Sequence, residues 1–200
     1  MTSIDVPETV RVWKIGVDQA NVRSWNNYTN NQGYNLFNMT NGMNLTWGNQ
    51  TFGINLVYKS QGDNKTHFRL PDGQEREILS GESVALGIGG SPAFLYYAER
   101  DTGINLKWAE QPEGKFEWRI FGADSELGKP IPENTPVALL NEKVQQEGRP
   151  DPDFLINVNR LKGTDIGWTS SKGFWDHVAS FAEKAAVDAA KAAVKEGLAG

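Results

Sequence analysis

One connecting segment combines the side chains that suit a sugar ligand. Between Gly16 and Gly33 runs a connection much longer than a turn needs, and it carries two aromatic residues among asparagines: Trp25, Asn26, Asn27, Tyr28 and Asn30. A flat aromatic ring packs against the C–H face of a sugar, and planar amides hydrogen-bond its hydroxyls. The sequence therefore predicts a carbohydrate-binding site here. The alternative is that the amides bond the loop's own backbone, with Trp25 packed beneath them.

A second segment, 141–153, presents a basic residue on a stiffened backbone. Arg149 and Asp151 alternate there with Pro150 and Pro152. A rigid exposed segment with an arginine would suit a protease inhibitor, because preorganisation lowers the cost of docking into an enzyme cleft. The alternative interpretation is a plain surface excursion.

Residues for catalysis are sparse. The chain has two histidines, His67 and His177, and no cysteine, which excludes a thiol nucleophile, a thiolate metal site and disulfides. No serine or aspartate can be tied to either histidine, and no phosphate-binding glycine loop occurs. Asp151 and Asp153 lack the ligand series of an EF-hand loop. We therefore expect a binding protein that is not an enzyme, with no cofactor and no metal.

Charge and hydropathy narrow the choice of partners. The 200 residues include 20 basic and 25 acidic ones, a net charge of −5, and no cluster of Lys and Arg stands out. This argues against a nucleic-acid partner. No run approaches the roughly 20 apolar residues of a membrane-spanning helix. The N-terminus lacks the basic start and apolar core of a secretory signal, so we expect a cytoplasmic protein without membrane contact.

Short strands are the elements that must position these residues. Up to about residue 169, β-branched and aromatic runs alternate with Gly, Asn, Asp and Pro, which is typical of many strands joined by turns. Three phrases resemble one another: Gly53-Ile54-Asn55-Leu56, Gly103-Ile104-Asn105-Leu106 and Gly163-Thr164-Asp165-Ile166. Each glycine follows a leucine by eight positions, namely Leu45, Leu95 and Leu155. The sequence therefore contains an internal repeat of three copies.

Two further landmarks complete each copy. A strand-like segment opens with Tyr34, Val84 or Val137, and the copies begin with Trp13, Phe68 and Trp118. Apolar residues recur two positions apart, as in Leu106 and Trp108, so both lie on one face of a strand. The pattern thus predicts four strands in each copy, twelve in all. We expect the repeated aromatic residues to pack in a shared core.

Three copies of about fifty residues with four strands each resemble the β-trefoil superfamily, over roughly residues 8–169. The resemblance implies an all-β fold in which six strands form a short barrel and six form hairpins at one end. Members of the superfamily are mostly non-enzymatic binding proteins, including lectins, protease inhibitors, cytokines and actin-bundling proteins. The Gln-x-Trp signature of ricin-type lectins is missing. The first interpretation is a lectin that binds a glycan; the alternatives are a protease inhibitor and an interaction or toxin component.

The composition changes abruptly after residue 170. Residues 171–200 are rich in Ala, with interspersed Lys, Glu and Asp and no Pro, which predicts an amphipathic C-terminal helix appended to a β-trefoil domain of residues 1–170. Its first half has an apolar stripe that includes Phe174 and Phe181, whereas its second half offers small side chains that allow helices to approach closely. We expect the first half to pack on its own domain and the second to form a homodimer contact. The alternatives are a lid and a segment that binds another protein.

Overall fold

A computed structural model of the chain divides after Ser170 into two compact units, Met1–Ser170 and Ser171–Gly200. The structure describes residues 6–16, 33–63, 65–89, 91, 93–144, 151–170 and 174. Apart from Phe174, the helix predicted for 171–200 lies outside the described residues, and so does its homodimer contact. No helix in these ranges is long and apolar enough to cross a membrane.

The first unit is all-β, and the prediction of twelve strands is confirmed for the described residues. The strands are β1 (Trp13–Gly16), β2 (Asn35–Asn38), β3 (Met43–Trp47), β4 (Leu56–Lys59), β5 (His67–Arg69), β6 (Ser83–Gly87), β7 (Phe94–Tyr97), β8 (Leu106–Ala109), β9 (Trp118–Gly122), β10 (Pro136–Asn141), β11 (Asp153–Asn157) and β12 (Ile166–Ser170). Burial alternates along β1, β2 and β5 as the period of two requires: in β1, Trp13 and Ile15 are buried while Lys14 is half-exposed. We call β1–β4 copy 1, β5–β8 copy 2 and β9–β12 copy 3.

The twelve strands belong to one curled antiparallel sheet, and the links between copies repeat. Within each copy, consecutive strands pair with each other. Three links join the copies: Trp13 with Val137 (β1 to β10), Val84 with Trp118 (β6 to β9), and a bridge between Tyr34 and Thr66, the residues just before β2 and β5. Each link connects the start of one copy to the second strand of the copy before it. The order of the links is therefore cyclic.

The strand register corrects one landmark of the sequence comparison. The facing pairs between first and second strands are Ile15 with Leu36, Phe68 with Leu86, and Ile120 with Leu139. Phe68 is thus the counterpart of Ile15 and Ile120, and Thr66 occupies the place of the two tryptophans. The alignment of Phe68 with Trp13 and Trp118 was wrong by two residues. Because a shift of two keeps every side chain on the same face, the alternation of the sequence could not reveal it.

Two buried tryptophans join neighbouring copies through equivalent hydrogen bonds. Trp13 Nε1 donates to the carbonyl of Leu155 at 2.7 Å, and Trp118 Nε1 donates to that of Leu95 at 2.6 Å. In both cases the indole of a first strand reaches the third strand of the preceding copy. Both indoles are completely buried in the apolar core, as is Phe68. The prediction that these repeated aromatic residues pack in the core is confirmed.

Trp118→Phe should destabilise the protein more than Trp108→Phe. Trp118→Phe leaves the buried carbonyl of Leu95 without its donor, which costs about 1–3 kcal/mol beyond the lost packing. Trp108→Phe is the control, because its buried Nε1 has no hydrogen-bond partner among the described residues. Urea denaturation of both variants measures the difference in the free energy of unfolding. Equal losses would contradict the anchoring role of the Trp118 indole.

Candidate functional site

The predicted binding residues fall mostly outside the described ranges. This applies to the whole glycan-binding set, Trp25, Asn26, Asn27, Tyr28 and Asn30, and to Arg149 of the inhibitory segment. Asp151, the other inhibitory candidate, is half-buried, and Asp153 is buried at the start of β11. Both sites therefore stay predictions, because Asp151 is the one member of the two predicted sets within the described ranges.

The register places the Trp25 segment in a family of equivalent connections. In copy 1, Ile15 and its facing residue Leu36 are 21 positions apart in the sequence. The equivalent spans are 18 positions in copy 2, from Phe68 to Leu86, and 19 in copy 3, from Ile120 to Leu139. Every copy thus has a long connection here, and that of copy 1 is longer by only two or three residues. Its length is not a sign of function; its asparagine-rich composition is what distinguishes it.

The counterpart connections of copies 2 and 3 show what such a loop does in this fold. They pair with each other: the amide of Ile131 donates to the carbonyl of Ile78 at 3.1 Å, and the amide of Ser80 donates to that of Lys129 at 2.8 Å. Ile78 and Ile131 are completely buried. These two loops therefore contribute to the core and hold neighbouring copies together.

The turns between third and fourth strands form a feature that we call the cap: residues 48–55, 98–105 and 158–165. Each turn is held by the same side-chain bond. The amide Oδ1 of Asn55 accepts from the backbone of Gln50 at 3.1 Å, that of Asn105 from Arg100 at 3.1 Å, and the carboxylate of Asp165 from Arg160 at 2.9 Å. Short polar side chains favour such bonds to nearby backbone. The repeated Asn or Asp therefore has a structural role in each copy.

The three cap turns meet closely. Gly53, Gly103 and Gly163 have φ angles of 84°, 86° and 81°, a conformation that glycine adopts at little cost. A Cβ atom added to Gly103 would lie 2.8 Å from the Cα of Gly53, and one added to Gly163 would lie 3.3 Å from the carbonyl oxygen of Phe52. Glycine at position 103 is therefore required both by φ and by the neighbouring backbone.

A surface pocket of about 320 Å³ opens beside the cap turn of copy 2 and is our candidate site. It is lined by Glu99, Arg100, Asp101, Thr102 and Lys107. The guanidinium of Arg100 forms a fixed wall, because it donates to the carbonyl of Gly53 at 2.8 Å and to that of Leu106 at 3.4 Å. The other four lining residues are exposed. They present two carboxylates, a hydroxyl and an ammonium group.

The pocket arises where copy 2 departs from the other copies. Its Lys107 aligns with Val57 and Gly167. In copy 1, Val57 covers Gly48: a Cβ atom added to Gly48 would lie 2.5 Å from the Cγ2 of Val57. In copy 3, Val158 covers Gly167: a Cβ atom added to Gly167 would lie 2.6 Å from the Cγ2 of Val158. Copy 2 has Ala98 and the long, exposed Lys107 in these places. The valine–glycine packing of the other copies is thus replaced by a polar surface.

An aromatic residue is the cross-strand neighbour of one lining residue of the candidate site. Tyr96 lies directly opposite Lys107 in the register of β7 and β8, so the two side chains share one face of the hairpin. The Lys115 ammonium lies 3.9 Å from the centroid of the Tyr96 ring, a cation–π geometry. In the described part of the chain, no three His, Asp or Glu side chains come together as a metal site would require.

Sequence reasoning missed Glu99, Asp101, Thr102 and Lys107 because it looked for aromatic residues outside the repeat. A signal was present nevertheless. Within a phrase that otherwise repeats, Gly-Ile-Asn-Leu-Val in copy 1 becomes Gly-Ile-Asn-Leu-Lys in copy 2. A charged residue at a position that is apolar in the other copies has no role in the common scaffold. Such departures are the positions to inspect first in a chain of repeats.

Burial in the fold raises the pKa of one tyrosine in copy 1. Burial raises the pKa of Tyr58 to about 12, although hydrogen bonds from Asn157 and Asn41 act in the opposite direction. The Nδ2 of Asn157 donates to the Tyr58 hydroxyl at 3.4 Å. Trp108 and Trp168 are the counterparts of Tyr58 in the other copies. These three positions therefore serve packing beneath the cap turns.

Tyr58→Phe should reduce the loss of stability at alkaline pH. The phenol ionises near pH 10.0 when unfolded and near pH 12 when folded, so its contribution is complete below about pH 10 and is lost as the pH rises to about 12. Urea denaturation midpoints across this range should fall less steeply for the variant than for the wild type. Parallel pH profiles for the two proteins would contradict the burial of this hydroxyl.

Comparison with known proteins adds no relative from which a site could be transferred. No family model matches the chain, and searches of curated proteins and of solved structures find no significant match. Functional conclusions therefore depend on the chemistry of the described residues.

Proposed function

We propose that the protein is a non-enzymatic carbohydrate-binding protein with a β-trefoil fold, and that the pocket beside the cap turn of copy 2 is a glycan site. The observation that carries the proposal is the lining of this pocket. Exposed Glu99, Asp101, Thr102 and Lys107 line a volume of about 320 Å³, and Tyr96 lies opposite Lys107.

The β-trefoil part of the proposal is supported by the cyclic order of the links between copies. The contacts of β1 with β10, of β6 with β9, and of Tyr34 with Thr66 would join β1, β2, β5, β6, β9 and β10 into a ring. The other six strands pair as three hairpins, whose turns form the cap. Six barrel strands and three hairpins at one end are the arrangement expected of this superfamily.

The ligand class follows from the chemistry of the pocket walls. Carboxylates accept hydrogen bonds from sugar hydroxyls, while a lysine ammonium and a threonine hydroxyl donate to sugar oxygens. A sugar ring presents both kinds of group on a rigid frame, and its C–H face can lie on an aromatic ring such as Tyr96. The volume is at the small end of ligand pockets and suits one sugar ring. Arg100 supports the pocket from behind through its bonds to backbone carbonyls.

The asparagine-rich segment with Trp25 and Tyr28 remains a second candidate for the same function. Its side chains have the complementary chemistry, an aromatic platform with amide groups. A test of the function must therefore separate the two sites.

The double variant Glu99→Gln, Asp101→Asn should weaken glycan binding by about tenfold or more, because hydrogen bonds to charged groups contribute about 1.5–3 kcal/mol. The double variant Glu110→Gln, Glu113→Gln is the matched control, since it removes the same charge at exposed positions outside the pocket. Binding to an array of immobilised glycans, followed by titration of the best ligand, measures the effect. Trp25→Ala completes the set.

The outcomes separate the site from the function. Loss in the pocket variant with an unchanged control supports the copy 2 site. Loss only on Trp25→Ala would contradict the pocket and place the site in the asparagine-rich segment. Failure of the wild-type protein to bind any glycan would contradict the proposed function itself.

A further inference from the structure

Two exposed apolar side chains belong to neighbouring turns of the cap. Phe52 is 50% exposed and Leu161 is fully exposed, and they belong to the cap turns of copies 1 and 3. The two turns approach each other closely, as shown by the 3.3 Å that would separate a Cβ atom added to Gly163 from the carbonyl oxygen of Phe52. The Lys162 ammonium lies 4.9 Å from the centroid of the Phe52 ring. We call Phe52, Leu161 and Lys162, with the turn residues 49–53 and 159–163 around them, the cap patch.

The charge of the cap patch is opposite to that of the protein. The turns 49–53 and 159–163 contain Arg160 and Lys162 and no Asp or Glu, whereas the chain as a whole has a net charge of −5. Of the other carboxylates in the cap turns, Asp165 accepts a hydrogen bond from the backbone of Arg160, and Glu99 and Asp101 belong to copy 2 and line its pocket. Phe52 and Leu161 thus have basic neighbours and no acidic residue within these two turn tips, which favours an anionic partner.

Several backbone hydrogen bonds lie within the two turns that carry the cap patch. The amides of Gln50 and Arg160 donate to the side chains of Asn55 and Asp165. The amides of Leu56 and Ile166 donate to carbonyls two residues earlier, at 2.7 Å. Each such internal bond lowers the cost of moving a polar backbone group of these turns out of water.

We propose that the cap patch docks on the surface of an anionic lipid bilayer. Phe52 and Leu161 would enter the boundary between headgroups and acyl chains, and Lys162 would extend towards the lipid phosphates. Two apolar side chains fall far short of the roughly 800 Å² per partner that a stable protein interface buries, which favours a lipid surface over a protein partner. The expectation of no membrane contact depends on the absence of a long apolar run and of a secretory signal in the sequence. It did not consider these turns.

Co-sedimentation of the full-length protein with vesicles tests the proposal. We expect binding to phosphatidylcholine vesicles that contain phosphatidylserine, weaker binding to phosphatidylcholine alone, and reversal by salt. Leu161→Ser and Phe52→Ser should each weaken binding about fivefold or more, because each removes buried apolar area. Lys162→Gln should weaken only the part that depends on phosphatidylserine.

Met43→Ser is the matched control, because Met43 is an apolar side chain 42% exposed at the start of β3, outside the cap turns. It should bind vesicles like the wild type, and near-UV circular dichroism should be unchanged in every variant. No vesicle binding by the wild type, or equal binding by wild type and Leu161→Ser, would overturn the proposal. A dimer in sedimentation equilibrium that Leu161→Ser dissociates, without vesicle binding, would overturn it in favour of a second copy.

Discussion

The structure of the first unit depends on the close approach of backbone at the cap. Gly103 and Gly53 come so near that a single methyl group at position 103 would lie 2.8 Å from a backbone carbon. Such an approach fixes how the turns of copies 1 and 2 sit against each other, and the bond from Arg100 to the carbonyl of Gly53 follows from it. The wall of the candidate pocket and the position of Phe52 are both consequences. One steric constraint thus determines the surfaces that we propose to be functional.

The shared scaffold leaves each copy free to differ where packing does not require identity. Asn141 Nδ2 donates to the buried carboxylate of Glu117 at 2.9 Å, and the same carboxylate accepts from the backbone of Tyr97. Its counterpart in copy 1, Asn38, has a buried Nδ2 without a hydrogen-bond partner among the described residues. Val12 stands there in the place of Glu117, as the register shows. Positions that are the same in every copy stabilise the shared fold, whereas positions that differ give each copy its own polar contacts.

The sequence contains enough information to predict the number of strands and most of the correspondence between copies. The positive φ of Gly53, Gly103 and Gly163, and the side-chain bonds of Asn55, Asn105 and Asp165, explain why these phrases recur. The pairing of Thr66 with Tyr34 was not predictable, because a threonine in place of a tryptophan hides the match and a shift of two residues preserves the alternation.

The candidate site was less accessible to sequence reasoning than the fold. Its lining residues come from one short stretch, and their pocket lies where Lys107 and Ala98 replace a valine–glycine pair. That pair joins the first residue of a cap turn to a residue of the strand that follows the turn, so its members are recognised as neighbours only when the register is known. The aromatic and amide pattern around Trp25 was visible in the sequence and remains a prediction.

The convergence of the cap turns is tested most directly by the free energy of unfolding of Gly103→Ala compared with Gly114→Ala. Both glycines have positive φ, 86° and 71°, but a Cβ at position 114 meets nothing within 4 Å. The account predicts a loss of about 1 kcal/mol for Gly114→Ala from backbone conformation alone. For Gly103→Ala it predicts a further loss of about 1–3 kcal/mol, because the new methyl group collides with the backbone of Gly53. Equal losses in the two variants would contradict it.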